Sequence, residues 1–214
     1  MDMEINSTLY TIARESTFDL INDSPVLLVD PGSDYASICE TLVSIGKPLA
    51  AILLTHTHYD HIMRIDLGHR DYGNPPVYVS EKEASWLGSP VDNLSGLPRH
   101  DDMIVVIFKP ADYFFELGKS YQLNSVAFDV RDTPGHSFDG GSFVSEREEL
   151  VISDDALFRV SIGRYDLPPS IRVVLLKSIL TQLFSLPIHY QVSPGHSFDT
   201  TIGHDKHFNP FFAA

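Results

Sequence analysis

Three histidines and an aspartate fall within six positions in His56-Thr57-His58-Tyr59-Asp60-His61, directly after the apolar run Leu49 to Leu54. An apolar run of that length closed by polar residues predicts a buried strand that hands the chain to a loop. A loop leaving a buried strand can aim several side chains at one point. Imidazole and carboxylate are the ligands that zinc, iron and manganese share, so the spacing predicts a metal site, with enough donors for two ions.

The rest of the composition limits what such a site can serve. At 214 residues the chain has room for one good-sized core, and 43% hydrophobic with 21% charged residues is ordinary for a globular protein. A net charge of −14 argues against nucleic acid as the partner, because polyanion binding relies on a basic face. No basic start followed by an apolar core opens the chain, and no apolar run reaches membrane-spanning length. These features predict a cytoplasmic protein, monomer or homodimer, that keeps away from membranes. Cys39 is the single cysteine, which excludes an internal disulfide.

Along the chain, short strands are expected from Thr8 to Ile12 and from Phe18 to Ile21, and a buried one over Val26–Val29. Ile38, Leu42 and Ile45 recur at helical spacing after Tyr35, with Gly46 placed to end the helix. That helix joins two strands and predicts a parallel pair. Ile62 to Arg70 and Glu81 to Leu87 are expected to be helical, Val77–Val79 a strand, and Val91 to Asp102 a loop. Strands should follow at Ile104–Phe108, Ser125–Val130, Ser142–Val144 and Leu150–Ile152, then a helix over Ile171–Phe184 and a strand over Ile188–Val192. Helices near both ends with strands between suit an α/β (α+β) four-layer αββα sandwich, in a single domain spanning 1–214.

Pro134-Gly-His-Ser-Phe-Asp139 recurs word for word as Pro194-Gly-His-Ser-Phe-Asp199. Each copy follows a strand-like run, which places His136 and His196 on loops beyond strand ends. A glycine before each histidine lets the backbone turn sharply. Asp154 and Asp155 offer a carboxylate, and because side chains alternate along a strand, one of the two at most is expected to enter a site. The residues alone do not choose between them.

Taken in order, Thr-His-x-His-x-Asp-His, Pro-Gly-His, Asp-x-Leu-Phe and a final Pro-Gly-His resemble the metallo-β-lactamase superfamily, and within it the glyoxalase II-like hydrolases. The likeness runs from Asp30-Pro-Gly32 through Ser161-Ile-Gly-Arg-Tyr-Asp-Leu167 to Asn209-Pro-Phe211. It implies the αββα metallo-β-lactamase fold. By motif, His56, His58 and His136 would bind a first ion, and Asp60, His61 and His196 a second. Asp155, the aspartate before x-Leu-Phe, would bridge them, with Asp154 standing where the family has glycine. Met63-Arg64 and Ser197 also replace glycines of the family pattern. Arg164 and Tyr165 occupy positions implied to contact a thiol ligand, while the helical C-terminal domain of full-length glyoxalase II is not expected here.

Two divalent ions a few ångströms apart lower the pKa of a shared water to about neutral, so hydrolysis needs no side-chain nucleophile. Asp60 and Asp155 are the catalytic candidates, zinc the first candidate metal, iron or manganese the others. A metal can stabilise a departing thiolate, which suits a small-molecule thioester such as S-lactoylglutathione, or an ester. Three other readings use the same residues: a persulfide dioxygenase holding one iron through His56, His136 and Asp155, a lactonase, and a binding protein on a retired enzyme fold. A true β-lactamase is disfavoured by the absence of a cysteine near any motif.

Overall fold

A computed structural model describes residues 4–9, 16–21, 25–97 and 104–212. Its Cα positions group into two units, residues 1–115 with 124–126, and 116–123 with 127–214.

The first unit is built on a six-stranded mixed sheet of β1 (Glu4–Leu9), β2 (Ser16–Ile21), β3 (Val26–Val29), β4 (Leu49–Leu53), β5 (Val77–Ser80) and β6 (Tyr113–Phe115), in that order. The β1–β2–β3 pairs are antiparallel and the later ones parallel. All four residues of β3 are buried, as expected of a strand covered on both faces. Helix α1 (Tyr35–Ile45) makes the crossover to β4. Its first turn is closed by Asp34, which accepts hydrogen bonds from the Ser37 backbone N–H and hydroxyl, and these bonds hold the Asp34 carboxyl below its ordinary pKa. Gly46 ends it in a left-handed conformation, with φ 66°. Ile38 and Leu42 turn inward onto Val26, Leu28, Ile52, Val77 and Val79, forming this unit's core.

The second unit carries β7 (Ser120–Leu123), β8 (Val126–Asp132), β9 (Gly141–Ser145), β10 (Leu150–Asp154), β13 (Gln191–Pro194) and β14 (Thr200–Thr201), in the sheet order β14-β13-β10-β9-β8-β7. A small hairpin of β11 (Leu157–Phe158) and β12 (Ser161–Ile162) extends beyond β10. Helix α4 (Arg172–Ser178) runs on into a π-helical turn at Ile179–Leu183, and α5 (Ile202–Phe208) follows β14. Leu175, Ile179 and Leu183 pack on Val144, Val151 and Val192.

Several expectations need correction. Ile104–Phe108 is not a strand: Ser95 Oγ accepts from the Val106 N–H, Asn93 Nδ2 donates to the Val106 carbonyl, and the Phe108 N–H bonds Leu87 O. A loop thus takes the bonds that a neighbouring strand would have made. The helix expected over Ile62–Arg70 is two, α2 (Tyr59–Ile62) and α3 (Ile65–Asp71), broken at Met63-Arg64, where the Arg64 N–H bonds the Pro31 carbonyl instead of a helical partner. The strand placed at Ile188 begins at Gln191. β1 lies earlier than the Thr8–Ile12 run, of which residues 10–12 are outside the described residues, as is His100. No helix among the described residues is long and apolar enough to cross a membrane.

Candidate metal centre

In the first unit, β4 delivers the chain into the histidine loop, and two buried carboxylates fix its course. The Thr55 N–H and hydroxyl donate to Asp30 at 3.0 and 2.7 Å. Asp30 follows β3, the parallel neighbour of β4, and holds a left-handed φ of 49° with no exposed surface. Two residues on, the Thr57 N–H and hydroxyl donate to Glu83 Oε2 at 2.9 and 3.1 Å. The two clamps fix the backbone on either side of His56 and just before His58.

The result is a tight group of imidazoles. The His56 ring lies 4.6 Å from that of His58 and 4.4 Å from that of His61, which α2 supplies, and all three residues are buried. His61 Nδ1 is 3.7 Å from Asp30 Oδ2. The Thr55 hydroxyl, already donating to Asp30, sits 3.3 Å from His56 Nδ1 and is placed to accept from it. That arrangement leaves the Nε2 lone pair of His56 for a ligand role. Asp60, half-buried, starts α2 beside them.

The second unit assembles its own donors through the two hexapeptides. Helix α4 straps the first copy: Ser178 Oγ, Ile171 N and Ser170 Oγ donate to the carbonyls of Pro134, Gly135 and His136. Gly135 has φ 121°, and a Cβ there would fall 2.2 Å from Leu175 N, so no side chain fits. The second copy is tied by its Gly195 N–H to the Asp154 carbonyl, at the end of the parallel β10–β13 pair. Here Ser197, not a glycine, takes the unusual backbone, with φ 92°. Identical words therefore sit in different settings. Ser137 is buried, whereas Ser197 and Phe198 are exposed.

Both loops converge on one acid. His136 Nε2 lies 3.2 Å and His196 Nε2 3.3 Å from Asp155 Oδ2. At its other nitrogen, Nδ1, His136 faces the Arg164 carbonyl at 2.8 Å, and a carbonyl only accepts, so Nδ1 carries the hydrogen. A neutral His136 then presents a lone pair to a carboxylate oxygen, an arrangement that needs a cation or a proton between the two. The donor set of imidazoles and a carboxylate fits zinc, iron or manganese.

Asp154 and Asp155 do not divide between opposite faces as strand alternation predicts. The β10–β13 register slips between Ile152 and Asp154, and Asp154 has φ 48°. Both acids are buried, and both line a small cavity with His136 and Ser137. Arg164 contributes a backbone carbonyl here, while its guanidinium pairs with Asp166 at 2.7 Å. Tyr165 lies under the Arg172 guanidinium, 5.5 Å from the ring centre.

Asp30, Glu83 and Gly163 are the functional positions that reading the sequence missed as such. Each acts by positioning another residue. Replacing Glu83 with alanine leaves the buried Thr57 donors without their acceptor and should cost about 1–3 kcal/mol of stability. It should also weaken metal binding by roughly 10–100-fold, as loss of an outer partner does. Chelator competition on the variant measures this, and unchanged affinity would reduce Glu83 to a structural filler.

The sequence matches the family model described as the Metallo-beta-lactamase superfamily over residues 16–196. A probable metallo-hydrolase of Streptococcus pyogenes is 56% identical over 210 residues, covering 98% of this chain and 90% of the relative. The hydroxyacylglutathione hydrolase GloC of Haemophilus influenzae is 28% identical, covering 86% and 85%. Among solved structures, the BLEG-1 B3 metallo-beta-lactamase aligns with a TM-score of 0.92 at 33% identity, over 99% of this chain and all of that one. TTHA1623 in a di-iron-bound form aligns with a TM-score of 0.80 at 29% identity, over 96% and 99%.

Proposed function

The chain belongs to the metallo-beta-lactamase superfamily of metallo-hydrolases and has its fold, and we propose that it cleaves the thioester or ester bond of a small molecule. The observation that carries this reading is the convergence of His136 and His196 on one oxygen of Asp155, 3.2 and 3.3 Å away, with His136 held by a carbonyl at Nδ1 so that its Nε2 faces that oxygen. In this reading His56, His58 and His136 would hold one ion and Asp60, His61 and His196 a second, with Asp155 available to both. Two such ions supply Lewis acidity for the carbonyl and bring the pKa of water to about neutral.

The chain's own groups do the rest. Asp30 and Glu83 fix the backbone on either side of His56 and just before His58, through Thr55 and Thr57. In this reading Asp60 would accept a hydrogen bond from the attacking water. The hydroxyacylglutathione hydrolase name of a relative 28% identical supports a glutathione thioester as the first substrate to try. A second reading, cleavage of a β-lactam amide, draws support from the solved lactamase at 33% identity. Zinc is the first metal to test, and the di-iron form of a solved relative makes iron the second.

Metal analysis of untagged protein should find two ions per chain. A panel of thioesters, esters, lactones and β-lactams should show thioester hydrolysis that a chelator abolishes. His58→Ala should lower it by more than the roughly 100-fold that loss of an outer partner can cost. Hydrolysis by His58→Ala at the unmodified rate would overturn the site. One iron per chain with thiol-dependent oxygen uptake would overturn the reaction.

A further inference from the structure

Arg64 stands three residues after His61, where α2 gives way to α3, and the loop that orients His61 also holds it. The Asp30 carboxylate lies 3.7 Å from His61. In the same loop, Pro31 accepts the Arg64 backbone N–H and Ser33 accepts its Nε–H, both at 3.2 Å. Among the described residues the guanidinium forms no ion pair, and Nε is its only hydrogen-bonding atom. With Nε committed, the two terminal nitrogens remain as a fork of the shape that a carboxylate takes end-on.

Beside this fork runs a groove of about 90 Å³ with a mixed polar and aliphatic lining. Met63 and Ile65 form one wall and the irregular stretch Ile104–Phe108 the other. That stretch turns Val106 into the core yet leaves Ile104 46%, Val105 53% and Ile107 69% exposed. Three aliphatic side chains open to solvent within four positions, next to a half-buried cation, are an unusual surface for a chain this acidic. Asp66, in the first turn of α3, also lines the groove. With 29 acidic residues against 15 basic ones, the protein repels anions at a distance, so an anion must be held by a fixed cation at close range.

We infer that Arg64 and this groove receive an arm of the substrate that is apolar along its length and ends in a carboxylate. The inference rests on the hydrolase reading and names the class within it: acidic thioesters or esters, in preference to neutral ones. The groove has room for a short arm, not for a whole substrate.

The test uses an analogue that cannot be cleaved, a thioether in place of the thioester, made with a terminal carboxylate and again with the matching carboxamide. Calorimetry on the purified protein should show the acid binding about 10-fold tighter, the scale of one charge-assisted contact. Arg64→Gln should erase the difference, and Arg64→Lys, which keeps the charge without the fork, should keep part of it. Equal binding of acid and amide, or a preference that survives Arg64→Gln in a variant with wild-type thermal unfolding, overturns the assignment. Should Arg64→Gln not fold, a wild-type preference that does not weaken with added salt overturns it instead. Because the analogue is inert, failure to hydrolyse any thioester would count against the reaction and not against the groove.

Discussion

Replacing Gly163 with alanine will strip the second unit of its metal-binding geometry and destabilise the protein by about 3 kcal/mol or more, at the upper end of what overpacking costs. A Cβ at this position would fall 1.8 Å from the Asp155 carbonyl oxygen and 3.3 Å from His136 Nδ1. The first of these is a backbone atom that no rotamer change can move. Gly163 closes the β11–β12 hairpin over the Asp155 peptide, its N–H bonding the Ala156 carbonyl at 3.2 Å. The next residue, Arg164, supplies the carbonyl that fixes His136. Pushing the hairpin off by the ångström or more that a methyl group demands therefore displaces the acid and releases the imidazole at once. Gly68→Ala is the control. It lies in α3, where a Cβ would meet nothing nearer than 3.9 Å, and should gain roughly 0.5–1 kcal/mol from helix propensity. Denaturant unfolding and metal content of the two variants decide the matter. A Gly163→Ala protein with wild-type values for both would show the hairpin to be compliant and the cradle unimportant.

What could be read in advance divides along physical lines. Helix α1 was legible because its signals are local: apolar spacing and a terminal glycine. The histidine loop was legible because its donors crowd together, and the hexapeptides because they repeat. Asp30 and Glu83 were not, since each meets its threonine across 25 or 26 residues and only the parallel sheet brings them near. Ile104–Phe108 has a strand's composition, yet side chains and a loop took its backbone bonds. β6 and β7 were missed for the opposite reason: three residues are too few to show a period, and Ser120–Leu123 has too little apolar character. The alternation rule misplaced one aspartate because a register slip, which residue types do not announce, sits between Ile152 and Asp154.

The same slip makes the pair Asp154 and Asp155 the sharpest place to test the centre. Asp155→Asn preserves size and shape, so the protein should stay folded. A neutral amide in place of the carboxylate removes the charge on which His136 and His196 both converge. Turnover should fall by more than about 100-fold, and retained metal should drop from two ions toward one, beyond what loss of an outer partner produces. Asp154→Asn is the matched comparison. Its left-handed φ of 48° is one that asparagine adopts readily, and its bond to the second hexapeptide comes from the backbone carbonyl, which the substitution leaves in place. Its cost should stay within about tenfold, the low end for an outer-shell change. Steady-state kinetics and metal analysis on both variants separate the roles, because only the residue that holds the ions should change stoichiometry and rate together. Were Asp154→Asn the more damaging, the bridging position would pass to Asp154, and Asp155 would become the residue that orients the two histidines.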